Sequence, residues 1–357
     1  LYPHLIMQYN ISPETMFPEK RPVNQDDLLN KRIDTSDGNC LAANGAMFKR
    51  DKQGMLPRII QKEYDDRVTF KKKMLEAEQM YANTKDKKYE KLARKYYIIQ
   101  HSKKISLNSA YGAIGNKYFR YYDHNQAEAI TMSGQLNIKW IEKKLNEYFN
   151  KLYKTNDDYI IASDTDSVYI NMAPLVKMTG ATDKDKIVKA LDTFCQERLE
   201  PYIAQVYGEL GNYMNVRENK MVMKREAIAD RGIWTAKKRY ILNVQDNEGV
   251  RYSEPKLKIM GIEAIKSSTP MPCRDALKAI FKEIVSGSES HVQKSIDQFK
   301  TYFKSLPPDQ IAFPRGITNI RSFKDNQTIY KKGTPIHARG GLLYNKMLID
   351  LSLQKKH

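Results

Sequence analysis

Residues 159–172 read Tyr-Ile-Ile-Ala-Ser-Asp-Thr-Asp-Ser-Val-Tyr-Ile-Asn-Met. Two runs of β-favouring residues, 159–163 and 168–172, flank a short acidic stretch that contains Asp164 and Asp166. This pattern predicts a hairpin that exposes both carboxylates at its tip. Mg²⁺ prefers carboxylate oxygens and takes its other ligands from water and substrate phosphates. We therefore expect Asp164 and Asp166 to bind metal, with the simpler alternative that they only shape the turn.

Helical segments lie on both sides of this hairpin in the sequence. From residue 60 to 108 the chain is rich in Lys, Glu, Tyr, Met and Leu, and only the polar stretch 83–86 interrupts it. This composition predicts two helices joined as a hairpin. From Ala127 to Leu152, apolar residues recur every three or four positions, which predicts a third helix whose apolar stripe packs on a sheet.

The remaining segments predict further strands and helices. Residues 1–50 mix apolar stretches with Pro, Asn and Gly, which indicates loops with short elements. Residues 239–244 and 257–260 favour strands of the same sheet as the acidic hairpin, and residues 274–306 favour a helix with a break at Gly287. The sequence therefore predicts an α+β fold.

The charge of the chain indicates a phosphate-rich partner. Lys and Arg number 60 against 42 Asp and Glu, a net charge of +18, and the alternative is a generally solvated basic surface. The three cysteines are far apart in sequence and form no metal-binding pair, which suggests a reducing, cytoplasmic setting. No apolar run approaches the roughly 20 residues that span a bilayer, so we expect no membrane partner.

Polar residues are spaced to share faces of the two-helix hairpin. Lys104, Asn108 and Tyr111 fall on one face of its second helix, next to Gly112, whose lack of a side chain permits close approach. Arg67 and Lys71 are four residues apart on the first helix. Antiparallel helices could direct these groups at one triphosphate, although a solvated basic face is the alternative for Arg67 and Lys71.

Three motifs, taken together, resemble a known family. They are Asn108-Ser109-Ala110-Tyr111-Gly112 with Lys104 upstream, Asp164-Thr165-Asp166-Ser167, and Lys237-Lys238-Arg239-Tyr240. In order and spacing they resemble motifs of DNA-directed DNA polymerases of family B, of the kind carried by T-even-type bacteriophages. Leu1-Tyr2-Pro3 resembles the end of a fourth motif, and the resemblance spans nearly the whole chain.

The resemblance implies a role for each of these residues. Asp166 would be the palm metal ligand, with Asp164 as its supporting carboxylate, for two Mg²⁺ ions. The groups implied to hold the incoming deoxynucleoside triphosphate are Arg67, Lys71 and Lys104, with Asn108 beside them.

Tyr2 would lie under the deoxyribose, and Tyr111 would pack against the nascent base pair with Gly112 giving it room. The residues implied to hold primer-template DNA are Lys237, Lys238, Arg239 and Tyr240. Without the motifs, Tyr2 and Tyr111 would be taken for ordinary core tyrosines among the 23 in the chain.

The resemblance also implies a right-hand polymerase fold. Its antiparallel-sheet palm would comprise residues 1–50 and 113–265, its helical-hairpin fingers residues 51–112, and its incomplete, mostly helical thumb residues 266–357. The implied partners include a sliding clamp and an N-terminal polymerase/exonuclease chain, and a viral enzyme would work in the host cytoplasm.

The chain departs from the family pattern at three places. His4 replaces a usual Ser, and Lys224 stands where phage relatives often have Asp. The family's metal-binding aspartate is expected a few residues before Leu1, outside this chain. We therefore expect a fragment or split subunit of a replicative polymerase that is weak or inactive by itself. The alternative from another class is a non-catalytic subunit that binds primer-template DNA.

Overall fold

The computed structural model describes residues 1–352. The chain divides into two compact units, one of residues 1–228 and one that begins at residue 229. Both units contain helices and antiparallel strands, which confirms the predicted α+β class.

The first unit contains eight helices and five strands among its described residues. The helices are α1 (Tyr2–Gln8), α2 (Gln25–Leu29), α3 (Met55–Thr84), α4 (Lys87–Ile114), α5 (His124–Tyr153), α6 (Ala173–Thr179), α7 (Lys184–Phe194) and α8 (Glu200–Tyr213). A π-helical turn, Cys195–Leu199, joins α7 to α8. The strands are β1 (Met16–Lys20), β2 (Cys40–Leu41), β3 (Ala46–Phe48), β4 (Ile160–Asp164) and β5 (Ser167–Ile170).

Helices α3 and α4 form the predicted hairpin and extend it at both ends. The reversal is made by Lys85, which has a left-handed φ of 56°, and by Asp86, whose carboxylate accepts a 2.8 Å hydrogen bond from the Lys88 amide. Such a side-chain cap satisfies an amide that would otherwise lack a partner at the start of α4. The sequence located this reversal correctly because its polar residues disfavour a continuing helix.

Helix α5 forms the centre of the first unit's core, as its apolar spacing predicts. The side chains of Leu136, Trp140, Ile141, Leu145 and Phe149 are all buried. The Trp140 indole N–H donates a 2.8 Å hydrogen bond to the Val206 carbonyl on α8. The apolar stripe of α5 therefore packs on helix α8 as well as on β3, β4 and β5, whereas the sequence predicted a sheet alone.

The acidic hairpin is β4 and β5, an antiparallel pair that forms a separate two-stranded sheet. Its register pairs Asp164 with Ser167, so Thr165 and Asp166 form the turn. The other sheet of this unit has the order β1-β3-β2. The prediction that residues 239–260 extend the same sheet as the acidic hairpin is wrong, because within the described chain those residues form a separate sheet with the strand Ala227–Ala236.

The second unit starts with a three-stranded meander in which β7 (Arg239–Asn247) lies between β6 (Ala227–Ala236) and β8 (Val250–Met260). Its helices are α9 (Met271–Ser286), α10 (Glu289–Ser305), α11 (Pro308–Ile311) and α12 (Ile336–Asp350), with a small hairpin of β9 (Lys324–Asp325) and β10 (Ile329–Tyr330). Gly287 ends α9, as predicted.

Apolar side chains join the meander to the helix that follows it. Ile241, Ile262 and Val285 form one buried cluster, and the Arg231 guanidinium donates a 2.8 Å hydrogen bond to the Val285 carbonyl. Residues 229–265 therefore pack with the segment that follows them. The sequence had grouped them with the palm, and the subdomain layout remains a prediction.

No helix within residues 1–352 combines the length and hydrophobicity needed to cross a membrane. The three cysteines are free thiols, two of them buried.

Candidate active site

The turn of the acidic hairpin holds Asp164 and Asp166 in different environments. Asp166 is exposed at the tip, whereas Asp164 is half-buried and accepts a 2.9 Å hydrogen bond from the Thr165 hydroxyl. The Asp166 amide donates to the Asp164 carbonyl at 2.6 Å, which keeps the turn tight. Thr165 has a φ of 54°, an unfavourable conformation for a β-branched residue. Strain of this kind collects at functional sites.

Helix α1 connects this turn to the helical hairpin. Its His4 lines a cleft of about 300 Å³ together with Thr165 and Asp166, and Tyr64 of α3 lines the same cleft. The His4 and Tyr64 rings meet edge to face with their centroids 4.8 Å apart. This contact turns one face of α3 toward α1, and Arg67 and Lys71 follow Tyr64 on that face at helical spacing.

Helix α4 meets α1 in the same way. The Tyr111 ring lies 4.7 Å from the Tyr2 ring, centroid to centroid, with the planes tilted by 34°. We call Arg67 and Lys71 on α3, and Lys104 and Asn108 on α4, the two polar stripes. Because Lys104 and Asn108 share a face with Tyr111, α1 fixes the orientation of both stripes. A side-chain carbon built at Gly112 would meet nothing within 4 Å, so packing among residues 1–352 does not require glycine there.

The polar groups of these two stripes are unpaired. Within residues 1–352, no hydrogen bond or ion pair engages the side chains of Arg67, Lys71, Lys104 and Asn108. The Arg67 Nε atom is buried without an acceptor. A buried donor without a partner lowers the stability of the fold by about 1–3 kcal/mol. An anionic ligand that accepted a hydrogen bond from this atom would remove that cost.

Lys103 provides a contrast with its neighbour Lys104. Its ammonium contacts Glu63 at 3.1 Å and Asp66 at 2.8 Å, and so it joins α4 to α3. The hydrogen bond to Asp66 raises the pKa of Lys103. Lys103 is therefore a structural cation, and Lys104 is available to a ligand.

The cleft contains residues that the sequence did not single out. Tyr207 of α8 and Lys220 line it with Asp166. Tyr207 is only 3% exposed, and burial, followed by the negative charge of Asp166, raises the pKa of its phenol. Burial lowers the pKa of His4 to about 4, with smaller contributions from positive charges that include Lys220 and Arg67, so the imidazole is neutral at pH 7. No sequence signal separates Tyr207 or Lys220 from the many other tyrosines and lysines.

The two carboxylates supply the oxygen donors that a hard divalent cation prefers. Asp166 lines the cleft, and Asp164 precedes it by two positions at the end of β4. Mg²⁺ is commonly held by only one or two protein carboxylates together with substrate phosphates. Among residues 1–352, no three His, Cys, Asp or Glu side chains are grouped so that they could bind a metal.

The four residues implied to hold DNA lie in the second unit, at the turn from β6 to β7. Lys237 and Lys238 are exposed there. The Arg239 guanidinium forms an ion pair with Glu263, and Tyr240 is 7% exposed with its ring 6.1 Å from that of Trp234. The two lysines are therefore on the solvent-exposed surface of the unit, whereas Tyr240 packs within it.

Comparisons with known proteins agree with the resemblance in the motifs. The family model described as DNA polymerase family B matches residues 1–324. The DNA-directed DNA polymerase of Enterobacteria phage T4 is 34% identical over 99% of this chain and 45% of its own length. That of Escherichia phage RB69 is 34% identical over 98% of this chain and 44% of its own length. DNA polymerase 1 of Aeropyrum pernix is 24% identical over 99% of this chain. The chain thus spans less than half the length of the two phage relatives.

Proposed function

This chain belongs to DNA polymerase family B, and on that premise we propose that it carries the nucleotide-adding site of a DNA-directed DNA polymerase of the T-even phage type. The reaction is template-directed addition of a deoxynucleotide to a primer 3′-hydroxyl. The observation that carries the proposal is the pair of unpaired polar stripes on α3 and α4, which α1 orients beside the cleft that contains Asp166. A protein that only bound DNA would have no need of triphosphate ligands.

In this proposal the helical hairpin binds the triphosphate. Arg67, Lys71 and Lys104 pair with its phosphate oxygens, and Asn108 lies beside them. Charge-assisted hydrogen bonds of this type are shorter and stronger than neutral ones. The Tyr2 ring supports the deoxyribose, and the adjoining Tyr111 ring packs against the new base pair. Closure of the α3–α4 hairpin would bring the cations onto the phosphates and exclude water.

Asp164 and Asp166 would hold Mg²⁺ at the hairpin turn. When bound, two Mg²⁺ ions lower the pKa of the primer 3′-hydroxyl and stabilise the pyrophosphate leaving group. Lys237 and Lys238 would hold the phosphate backbone of the primer-template duplex, a contact that is independent of sequence. In the right-hand arrangement, α3 and α4 are the fingers, the acidic hairpin belongs to the palm, and α9–α12 belong to the thumb.

The direct test is primer extension by the protein that contains this chain. With Mg²⁺ and all four deoxynucleoside triphosphates, we expect the added nucleotide to be the complement of the templating base for each of four templates. The control is the same mixture with EDTA. Tight primer-template binding without any extension would instead favour the non-catalytic alternative.

Substitution of Tyr2 tests its contact with the sugar. Tyr2→Ala should lower discrimination against ribonucleotides by roughly 10–100-fold, because a planar ring under C2′ excludes the extra hydroxyl by steric contact. The measurement is kcat/KM for a deoxynucleotide and for the matching ribonucleotide. Tyr2→Phe, which retains the ring, should discriminate like the parent. Unchanged discrimination in Tyr2→Ala would exclude Tyr2 from this role.

A further inference from the structure

Two aromatic residues of α4 lie in line with its polar stripe, on the side away from Tyr111. Tyr97 and His101 precede Lys104 by seven and three positions. Because an α-helix has about 3.6 residues per turn, side chains at these spacings project from the same side of the helix. The proposed function uses neither Tyr97 nor His101.

Contacts between α3 and α4 show which residues of the two helices lie at the same level. The Lys103 ammonium contacts Glu63 at 3.1 Å and Asp66 at 2.8 Å. Further along the hairpin, the ring of Tyr96 lies 6.0 Å from the ring of Phe70, centroid to centroid. These contacts fix the register of the antiparallel helices, and all of them lie on one side of the hairpin.

The polar stripes lie on the other side of the hairpin. Each of four residues follows one of the contact residues by one position, namely Arg67, Lys71, Tyr97 and Lys104. One step along an α-helix turns the side chain by about 100°, and in two antiparallel helices that step turns both side chains toward the same side of the pair. Tyr97 is therefore level with Lys71. His101, one helical turn nearer to Lys104, is level with Arg67.

Tyr97 holds the imidazole of His101 by stacking. The two rings lie 5.4 Å apart, centroid to centroid, with 14° between their planes. Within residues 1–352, no hydrogen bond or ion pair engages either side chain. Stacking covers a face of the imidazole, whereas both of its nitrogens lie on the ring edge. The ring is therefore oriented by the chain, and its N–H is available to a ligand.

Distance along α4 determines which part of a triphosphate His101 would meet. A helix rises about 1.5 Å per residue, so His101 lies about 4.5 Å beyond Lys104 and about 15 Å beyond Tyr111 along the axis. The proposed function places the sugar and base beside Tyr2 and Tyr111, so the phosphates extend from there toward Lys104 and His101. The phosphate nearest to His101 is then the outermost one.

We propose that His101 binds the terminal phosphate of the incoming deoxynucleoside triphosphate, with Tyr97 as the residue that positions its ring. This inference rests on the proposed function, which supplies the direction of the nucleotide along α4. An N–H that donates to an anionic phosphate oxygen forms a charge-assisted hydrogen bond, which is stronger than a neutral one. Arg67 and Lys71, at the same level on α3, would hold the terminal phosphate from its other side.

The test measures nucleotide binding without chemistry. The protein that contains this chain is bound to primer-template DNA whose primer ends in a dideoxynucleotide, so no 3′-hydroxyl is present to react. Two ligands are titrated with Mg²⁺ present. They are the complementary deoxynucleoside triphosphate and the matching diphosphate, which lacks only the terminal phosphate.

His101→Phe is the decisive variant, because phenylalanine retains a ring that stacks on Tyr97 but has no N–H. It should weaken binding of the triphosphate by about 10–100-fold, the factor that corresponds to one hydrogen bond to a charged group. Binding of the diphosphate should not change. Lys104→Ala, nearer to the sugar, should weaken binding of both nucleotides.

Substitutions of two neighbours complete the comparison. Tyr97→Phe, which retains the stacked ring, should match the parent on both nucleotides, and Tyr97→Ala should weaken binding of the triphosphate alone. Ser102→Ala is the matched control, because Ser102 is exposed on α4 next to His101 and projects away from the polar stripe. It should bind both nucleotides as the parent does.

The outcomes separate this inference from the proposed function. A triphosphate affinity of His101→Phe equal to that of the parent, or an equal loss on the triphosphate and the diphosphate, would overturn the role of His101. If the parent still extended primers in that case, the proposed function would stand. A parent that bound neither nucleotide would overturn both. His101→Phe should unfold at the parent's melting temperature, and this measurement excludes misfolding as the cause of a loss.

Discussion

Asp166→Asn is expected to slow nucleotide addition at least about 10³-fold while changing primer-template affinity by less than about threefold. Replacing the carboxylate with an amide keeps the shape of the side chain but removes the charge that would hold Mg²⁺ in the cleft. Metal ions supply several kcal/mol of transition-state stabilisation, and each 1.36 kcal/mol corresponds to about tenfold in rate. DNA affinity should persist because phosphate contacts, proposed for Lys237 and Lys238, use other residues.

The measurement is single-turnover primer extension over a range of Mg²⁺ concentrations, with DNA affinity measured separately. Asp157→Asn is the matched control, because Asp157 is also exposed and shortly precedes β4 but does not line the cleft. The control should extend primers at the parent's rate. Near-normal extension by Asp166→Asn would remove Asp166 from the proposed metal site.

Lys104→Ala is expected to raise the KM for deoxynucleoside triphosphates by about 10–100-fold, with primer-template affinity unchanged. A hydrogen bond to a charged group contributes about 1.5–3 kcal/mol, and Lys104 has no partner among the described residues that would compete with a phosphate. Lys91→Ala is the matched control, because Lys91 is an exposed lysine of the same helix, about 20 Å from Lys104 along the helix axis.

Lys238→Ala should have the opposite effects on DNA affinity and on the KM for the triphosphate. It should weaken primer-template binding and reduce the slope of log affinity against log salt by about one, with little effect on the KM for the triphosphate. If Lys104→Ala and Lys238→Ala both retained the parent's KM and salt slope, neither residue would have the role proposed for it.

The helical hairpin shows how far local pattern predicts the fold. Its two helices, and the polar reversal between them at Lys85 and Asp86, followed from composition and capping residues, which act within a few positions of the chain. The hairpin of β4 and β5 likewise followed from β-favouring runs on either side of an acidic turn. The pairing of strands distant in sequence did not follow, because strand-forming residues do not specify their partner. The meander of β6–β8 therefore formed a sheet of its own rather than joining the acidic hairpin.

By itself, the sequence determined the family, the helices and strands near each motif, and the identity of Asp166, Lys104 and Tyr111 as candidate site residues. Those results depend on residue order and spacing, which are local. Tertiary structure alone decided that α1 orients both polar stripes, through contacts of Tyr2 with Tyr111 and of His4 with Tyr64. It also separated neighbours that look alike in sequence, since Lys103 is held by two carboxylates and Lys104 is not. The physical reason is that burial and pairing depend on which distant segments pack against a side chain. The spacing of residues along one helix does not show which segments those are.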